Sequence, residues 1–134
     1  MPPAKIFIVD DDPDDLELLR EIFLEKGIEG VLFFDDPLLL LSYMDTLAAD
    51  ELPYLVLSDL NMPALSGIEL LQELRLKNIL NKTSVVIFST SNAVRDRELC
   101  QLAGAKGFIN KPFEIRDYYQ LVDSLNNYMP IISL

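Results

Sequence analysis

The chain has 134 residues, half of them hydrophobic, which suits one domain with a buried core and excludes an intrinsically disordered segment. Eleven Lys and Arg stand against 22 Asp and Glu, a formal charge of −11, with no basic cluster to engage nucleic acid directly. Histidine is absent, which removes Ser-His-Asp and Cys-His catalysis, His-ligated metals and any phosphohistidine-donor role; the single cysteine, Cys100, removes an internal disulfide and fits a reducing compartment.

In chain order, the apolar run Ile6–Val9 predicts a strand that ends in Asp10, Asp11 and Asp12. Asp12-Pro13 then reads as an N-cap followed by proline at the first helical position. Leu16, Leu19, Ile22 and Phe23 share one face of that helix, which stops near Gly27. Val31–Phe34 is a second strand, and Asp36-Pro37 opens a helix whose inner face is read as Leu38, Leu41 and Met44. Leu55–Ser58 is the third strand and delivers Asp59 and Asn61; Ile68, Leu71 and Leu74 mark the next helix. Val85–Ser89 is the fourth strand, followed by Thr90 and by a helix carrying Leu99, Leu102 and Ala103 up to Gly104. Gly107–Asn110 is the fifth strand and leads into Lys111-Pro112; Tyr118, Leu121, Val122 and Leu125 line a last helix that Pro130 ends.

Each strand candidate is continuously apolar, as in parallel strands buried on both faces. Five βα units therefore predict an α/β fold, a three-layer αβα sandwich of flavodoxin-like type with a five-stranded parallel sheet in the order 2-1-3-4-5. The whole of 1–134 reads as one domain with a core of about 5–129, and the apolar tail Ile131–Leu134 is too short to form an output domain. No apolar run approaches the roughly 20 residues of a membrane span, and the N-terminal run is too short for a signal-peptide core. A cytoplasmic location is expected.

Ligands of open parallel sheets bind beyond the carboxyl ends of the strands. There the strands deliver Asp10, Asp11 and Asp12 from the first, Asp59 and Asn61 from the third, Ser89 and Thr90 from the fourth, and Asn110 and Lys111 from the fifth. Adjacent first and third strands bring Asp10, Asp11 and Asp59 together. Three close carboxylates repel, and a hard divalent cation such as Mg²⁺ relieves that repulsion. An ammonium group and a hydroxyl opposite the acids suit the remaining oxygens of a phosphoryl group.

With these residues in place the sequence resembles the receiver domains of two-component response regulators, from Lys5 to about Met129. The resemblance rests on five motifs in order: Phe-Ile-Val-Asp-Asp-Asp-Pro, Leu-Ser-Asp-Leu-Asn-Met-Pro-Ala-Leu-Ser-Gly, Val-Ile-Phe-Ser-Thr-Ser, Gly-Ala-Lys-Gly-Phe and Asn-Lys-Pro-Phe. It implies that Asp59 accepts the phosphoryl group and that Asp11 and Asp59 bind Mg²⁺ directly. Asn61 would add its backbone carbonyl and Asp10 would act largely through water. Lys111 would contact the phosphoryl group, and the Lys111–Pro112 peptide is expected to be cis. Ser89 would be the switch hydroxyl, with Thr90 in the adjoining small-residue slot, and Phe108 the responding aromatic residue. Gly67 is expected to serve the tight turn after Met62-Pro63. The implied partners are a histidine kinase or histidine phosphotransfer protein and an effector protein, reached through the fourth helix, fifth strand and fifth helix. Such a domain is not an enzyme beyond its own phosphorylation and dephosphorylation.

Plainer readings exist for several of these residues. Asp12, Asp14 and Asp15 suit a helix cap and first turn, where the helix dipole favours acids, without any ligand role. Asp10-x-Asp12-x-Asp14 mimics a calcium loop, but Asp15 occupies its glycine position and a strand precedes it. Cys100 reads as a partly buried small apolar residue. Two alternatives compete for the whole chain. A haloacid-dehalogenase-like phosphatase would carry a second Asp two residues after its nucleophile, where Asn61 stands. A pseudo-receiver would bind partners without phosphorylation and be free to lose the acid, serine and lysine set.

Overall fold

The computed structural model describes residues 4–129; the expected tail Ile131–Leu134 and the helix stop at Pro130 lie outside them. Five parallel strands, β1 (Ile6–Val9), β2 (Val31–Phe34), β3 (Leu55–Asp59), β4 (Ser84–Ser89) and β5 (Gly107–Asn110), form one sheet in the order β2-β1-β3-β4-β5. The helices are α1 (Pro13–Glu25), α2 (Pro37–Asp45), α3 (Gly67–Leu76), α4 (Val94–Ala103) and α5 (Ile115–Ser124). The flavodoxin-like expectation and its strand order hold. β3 and β4 each run one residue further than the apolar pattern implied, at Asp59 and at Ser84 respectively.

Successive residues of a strand face opposite sides, and here they feed two separate apolar layers. Phe7, Val9, Val56, Val85 and Ile87 pack with Leu40, Met44, Leu70, Leu71, Leu74, Cys100 and Ala103, which places α2, α3 and α4 on one face. Ile8, Leu55, Leu57, Val86 and Phe88 pack with Leu19, Ile22, Phe23, Tyr118, Leu121 and Leu125 from α1, α5 and the turn after it. The central strands β1 and β3 are buried throughout, whereas the edge strands β2 and β5 are only half-buried.

Two inner faces differ from the sequence pattern. On α2 the buried residues are Pro37, Leu40 and Met44, while Leu38 is 48% exposed. On α4 they are Cys100 and Ala103, while Leu102 is 75% exposed. Cys100 is fully buried, and burial pushes its thiol up to about 11.

Caps fix the loops that carry the chemistry. The Asp12 carboxylate accepts from Asp14 N–H at 2.9 Å, and Asp36 accepts from Leu38 N–H at 2.8 Å. Ser66 and Glu69 form a reciprocal capping box at the start of α3. Gly67 closes the loop that follows Met62-Pro63, its N–H donating to the Leu60 carbonyl at 2.7 Å, and has a packing task besides. A Cβ there would stand 2.7 Å from the Asp59 carbonyl oxygen and 3.1 Å from Leu60 Cα, so glycine lets α3 start against the end of β3. At the opposite pole, the Tyr128 ring lies on Gly107, where an added Cβ would meet it at 2.6 Å. The chain enters the sheet at this same pole, where Lys5 N–H donates to the Gly30 carbonyl at 2.8 Å.

Candidate phosphoryl and cation site

Parallel register assembles the site. Val9 pairs with Ser58, and Asp59 pairs with Phe88, so Asp10 and Asp59 leave neighbouring strands at the same level. Ligand oxygens of Asp10, Asp11 and Asp59 all lie within 4.8 Å of one another. Asp10 and Asp59 are buried, and Asp11 is exposed. Ser89 pairs with Asn110 one register step on, and Lys111 N–H donates to the Ser89 carbonyl at 2.8 Å. The lysine side chain then turns back over the acids. Its Nζ lies 2.8 Å from Asp10 Oδ2, 2.8 Å from Asp15 Oδ2 and 3.6 Å from Asp59 Oδ1, and 4.9 Å from the Phe88 ring centroid.

Backbone donors hold the two buried acids in place. Leu60 N–H donates to Asp59 Oδ1 at 2.8 Å and Asp12 N–H to Asp10 Oδ1 at 2.9 Å. These bonds favour the charged forms, but desolvation opposes them. Burial, and then the charge of Asp10, push the Asp59 carboxyl up to about 7 despite Lys111. Burial likewise raises Asp10 above the usual carboxylate range, although its bond to Lys111 pulls the other way. Burial tends to lower Lys111, but hydrogen bonds to Asp10 and Asp15 outweigh it and hold the ammonium firmly protonated. One ammonium thus faces more carboxylate charge than it neutralises. An all-oxygen donor set with surplus negative charge fits a hard divalent cation.

The expected residues fall into two groups. Asp10, Asp11, Asp59 and Lys111 converge. Ser89 is buried at the end of β4, where its Oγ accepts from Ser91 N–H at 3.1 Å, while the neighbouring Thr90 is exposed. Asn61 is exposed two residues past Asp59, and Phe108 is half-buried on β5, its ring centroid 5.2 Å from the Arg97 guanidinium carbon. No cis peptide bond occurs among the described residues, so Lys111–Pro112 is trans and not cis. Trans is the favoured isomer by about 0.5–1 kcal/mol, and from it the lysine reaches its acids.

Asp15, expected only as a first-turn acid, bonds to Lys111, with the Tyr118 hydroxyl 3.5 Å from its other oxygen. Burial and then the Asp15 charge push that phenol up to about 12. The signal was present: Asp15 precedes Leu19 by four residues and Ile22 by seven, on the buried face of α1, where a charge requires a partner.

The fold and this site define a domain that gathers acids and one lysine at the carboxyl edge of a parallel sheet. The family model described as the response regulator receiver domain matches residues 6–123. The chain belongs to that family. It is 31% identical to the Fimbriae Z protein of Salmonella typhimurium over 124 residues, covering 91% of this chain and 56% of that protein. The receiver domain of the Francisella response regulator 1452 is similar in structure, with TM-score 0.74 and 27% identity over 92% of this chain and 97% of that one. The phosphorylated cyanobacterial phytochrome response regulator RcpA superposes with TM-score 0.81 and 25% identity, over 95% and 94% of the two chains. The chain spans about half the length of Fimbriae Z, whose remainder has no counterpart in this match.

Proposed function

We propose that this chain is one receiver unit that accepts a phosphoryl group on Asp59 in a Mg²⁺-dependent reaction and passes the signal to a protein partner. The observation that carries this reading is the Asp59 carboxylate, clustered with Asp10 and Asp11 and 3.6 Å from the Lys111 ammonium. A structural neighbour described as phosphorylated supports it. An Asp59 oxygen attacks phosphorus. The new O–P bond forms as the P–N bond of a phosphohistidine on a kinase or phosphotransfer protein breaks, and the imidazole keeps the electron pair and later takes a proton from solvent. Lys111 balances charge on the transferring oxygens, and the Ser89 hydroxyl donates to one of them once it turns inward. Asp11, Asp59 and the Asn61 carbonyl would hold Mg²⁺, with Asp10 through water, and the ion supplies positive charge opposite the phosphoryl oxygens.

Phosphorylation then shifts a two-state equilibrium in which Ser89 and Phe108 move together and the α4–β5–α5 face changes its affinity for an effector. The chain acts in the cytoplasm, without direct binding to nucleic acid or membrane, and catalyses only its own phosphorylation and dephosphorylation. No helix among the described residues is long and apolar enough to cross a membrane. Intact-mass spectrometry after incubation with acetyl phosphate and Mg²⁺ tests the reading. One phosphoryl adduct is expected on wild type and none on Asp59→Asn; equal labelling of the variant would overturn the assignment of Asp59.

A further inference from the structure

The two residues assigned to the switch are tied together by a network that the receiver chemistry does not itself require. It begins at Ser89, whose Oγ accepts from Ser91 N–H at 3.1 Å, so in this state the hydroxyl oxygen is engaged by the loop between β4 and α4. The loop is in turn held by Asn110 at the end of β5. Asn110 Nδ2 donates to the Ser91 carbonyl at 2.7 Å and to Asn92 Oδ1 at 2.8 Å. Its Oδ1 accepts from Arg97 Nη2 at 3.2 Å, and the Arg97 guanidinium carbon lies 5.2 Å from the Phe108 ring centroid. Ser91 Oγ also donates to Asp96 Oδ2 at 2.5 Å, which fastens the same loop to the first turn of α4. One amide therefore stands between Ser89 and Phe108 and uses both its donor and its acceptor atoms.

We propose that Asn110, with Arg97, is a positioning residue that holds the β4–α4 loop in the resting arrangement and so sets how readily Asp59 becomes phosphorylated. The inference rests on the receiver reading given above. For Ser89 to turn toward a phosphoryl group, its Oγ must leave Ser91 N–H and the loop must follow. Asn110 opposes that movement at two points, the Ser91 carbonyl and the Asn92 side chain. Phe108 cannot change place without sliding beneath Arg97, which Asn110 also holds. Removing a hydrogen bond of ordinary net worth from one side of a two-state equilibrium shifts the ratio about fivefold. Asn110→Ala is accordingly expected to favour the switched arrangement about five- to tenfold.

The test is the apparent affinity for beryllofluoride with Mg²⁺, followed by NMR titration, together with the rate of labelling by acetyl phosphate. Asn110→Ala should bind beryllofluoride about five- to tenfold more tightly than wild type and label faster, and Arg97→Ala should move the same way by less. Asn110→Asp keeps the acceptor for Arg97 and loses both donors, so it should reproduce the gain if the alanine variant folds poorly. The gain should vanish when Ser89→Ala is combined with Asn110→Ala, because the restraint acts through the Ser89 hydroxyl. Unchanged or weaker affinity in folded Asn110 variants overturns the inference, as does a gain that persists without the Ser89 hydroxyl. If wild type itself takes neither beryllofluoride nor a phosphoryl label, the receiver reading fails and this inference fails with it.

Discussion

Asp59 opposes the fold it belongs to. Its carboxyl titrates near 7 in the folded chain against an ordinary 3.8. Between those two values the native state holds a proton that the unfolded chain has released. The contribution against folding therefore appears as pH rises through this window and is complete above it. Asp59→Asn keeps the shape and removes the charge, so it should stabilise the protein by about 1–2 kcal/mol at pH 8 and by nothing at pH 4. Urea denaturation of both proteins at the two pH values measures this difference. Gly67 makes the opposite case, because nothing larger than hydrogen fits beneath the Asp59 carbonyl. Gly67→Ala should cost about 2–3 kcal/mol by overpacking the start of α3, read as a fall in the denaturation midpoint. Of the clustered acids, Asp10, Asp11 and Asp59 were legible in the sequence because each sits at or just past the end of an apolar run. Asp15 and Asn110 were legible in position, on the buried face of α1 and at the end of β5, but not in pairing, since their partners Lys111 and Ser91 lie 96 and 19 residues away and no short motif records the contact.

Helix faces show where periodicity suffices and where it fails. On α1 and α5 the apolar positions occupy one stripe, and the buried residues are those the pattern names. In α2 the run Leu38-Leu39-Leu40-Leu41 offers no phase, because four consecutive leucines fit every face, and the choice is made by packing on Phe7 and Val9. α4 has the reverse problem. Its inward residues are a cysteine and an alanine, small enough to let the helix lie close to the sheet, while the larger Leu102 points outward. The caps were legible because Asp-Pro states both the side-chain acceptor and the missing N–H. Asp36 caps α2 and is not one of the clustered acids, so Asp36→Ala should cost about 1 kcal/mol in thermal unfolding while phosphoryl labelling persists.

At the scale of the molecule, 22 acidic residues against 11 basic ones leave a formal charge of −11, of which the acids at the strand ends are a part. Two responses to salt can then be separated. Sodium chloride screens the general repulsion and should raise the melting temperature at pH 8, where the charge is strongly negative, and less as the pH falls toward the pI of about 4.2. Mg²⁺ at equal ionic strength should raise it further at pH 8 but hardly at pH 5, where protons compete for the same carboxylate oxygens. Scanning calorimetry of wild type gives this difference, and Asp59→Asn should lose most of it.

The packing of Tyr128 on Gly107, together with the entry of the chain at Lys5, leaves both ends of the described structure at the pole opposite the acids. β1 and β5 are three strand spacings apart in the sheet, roughly 14 Å at that edge. A domain with such ends can be spliced as a cassette into a surface loop of a host protein, with short flexible joints and its reactive edge facing outward. Donor and acceptor fluorophores placed at the two joints would be insulated from the proposed phosphoryl chemistry, whereas a fluorophore on the outer surface of α4 would lie beside the face proposed to switch.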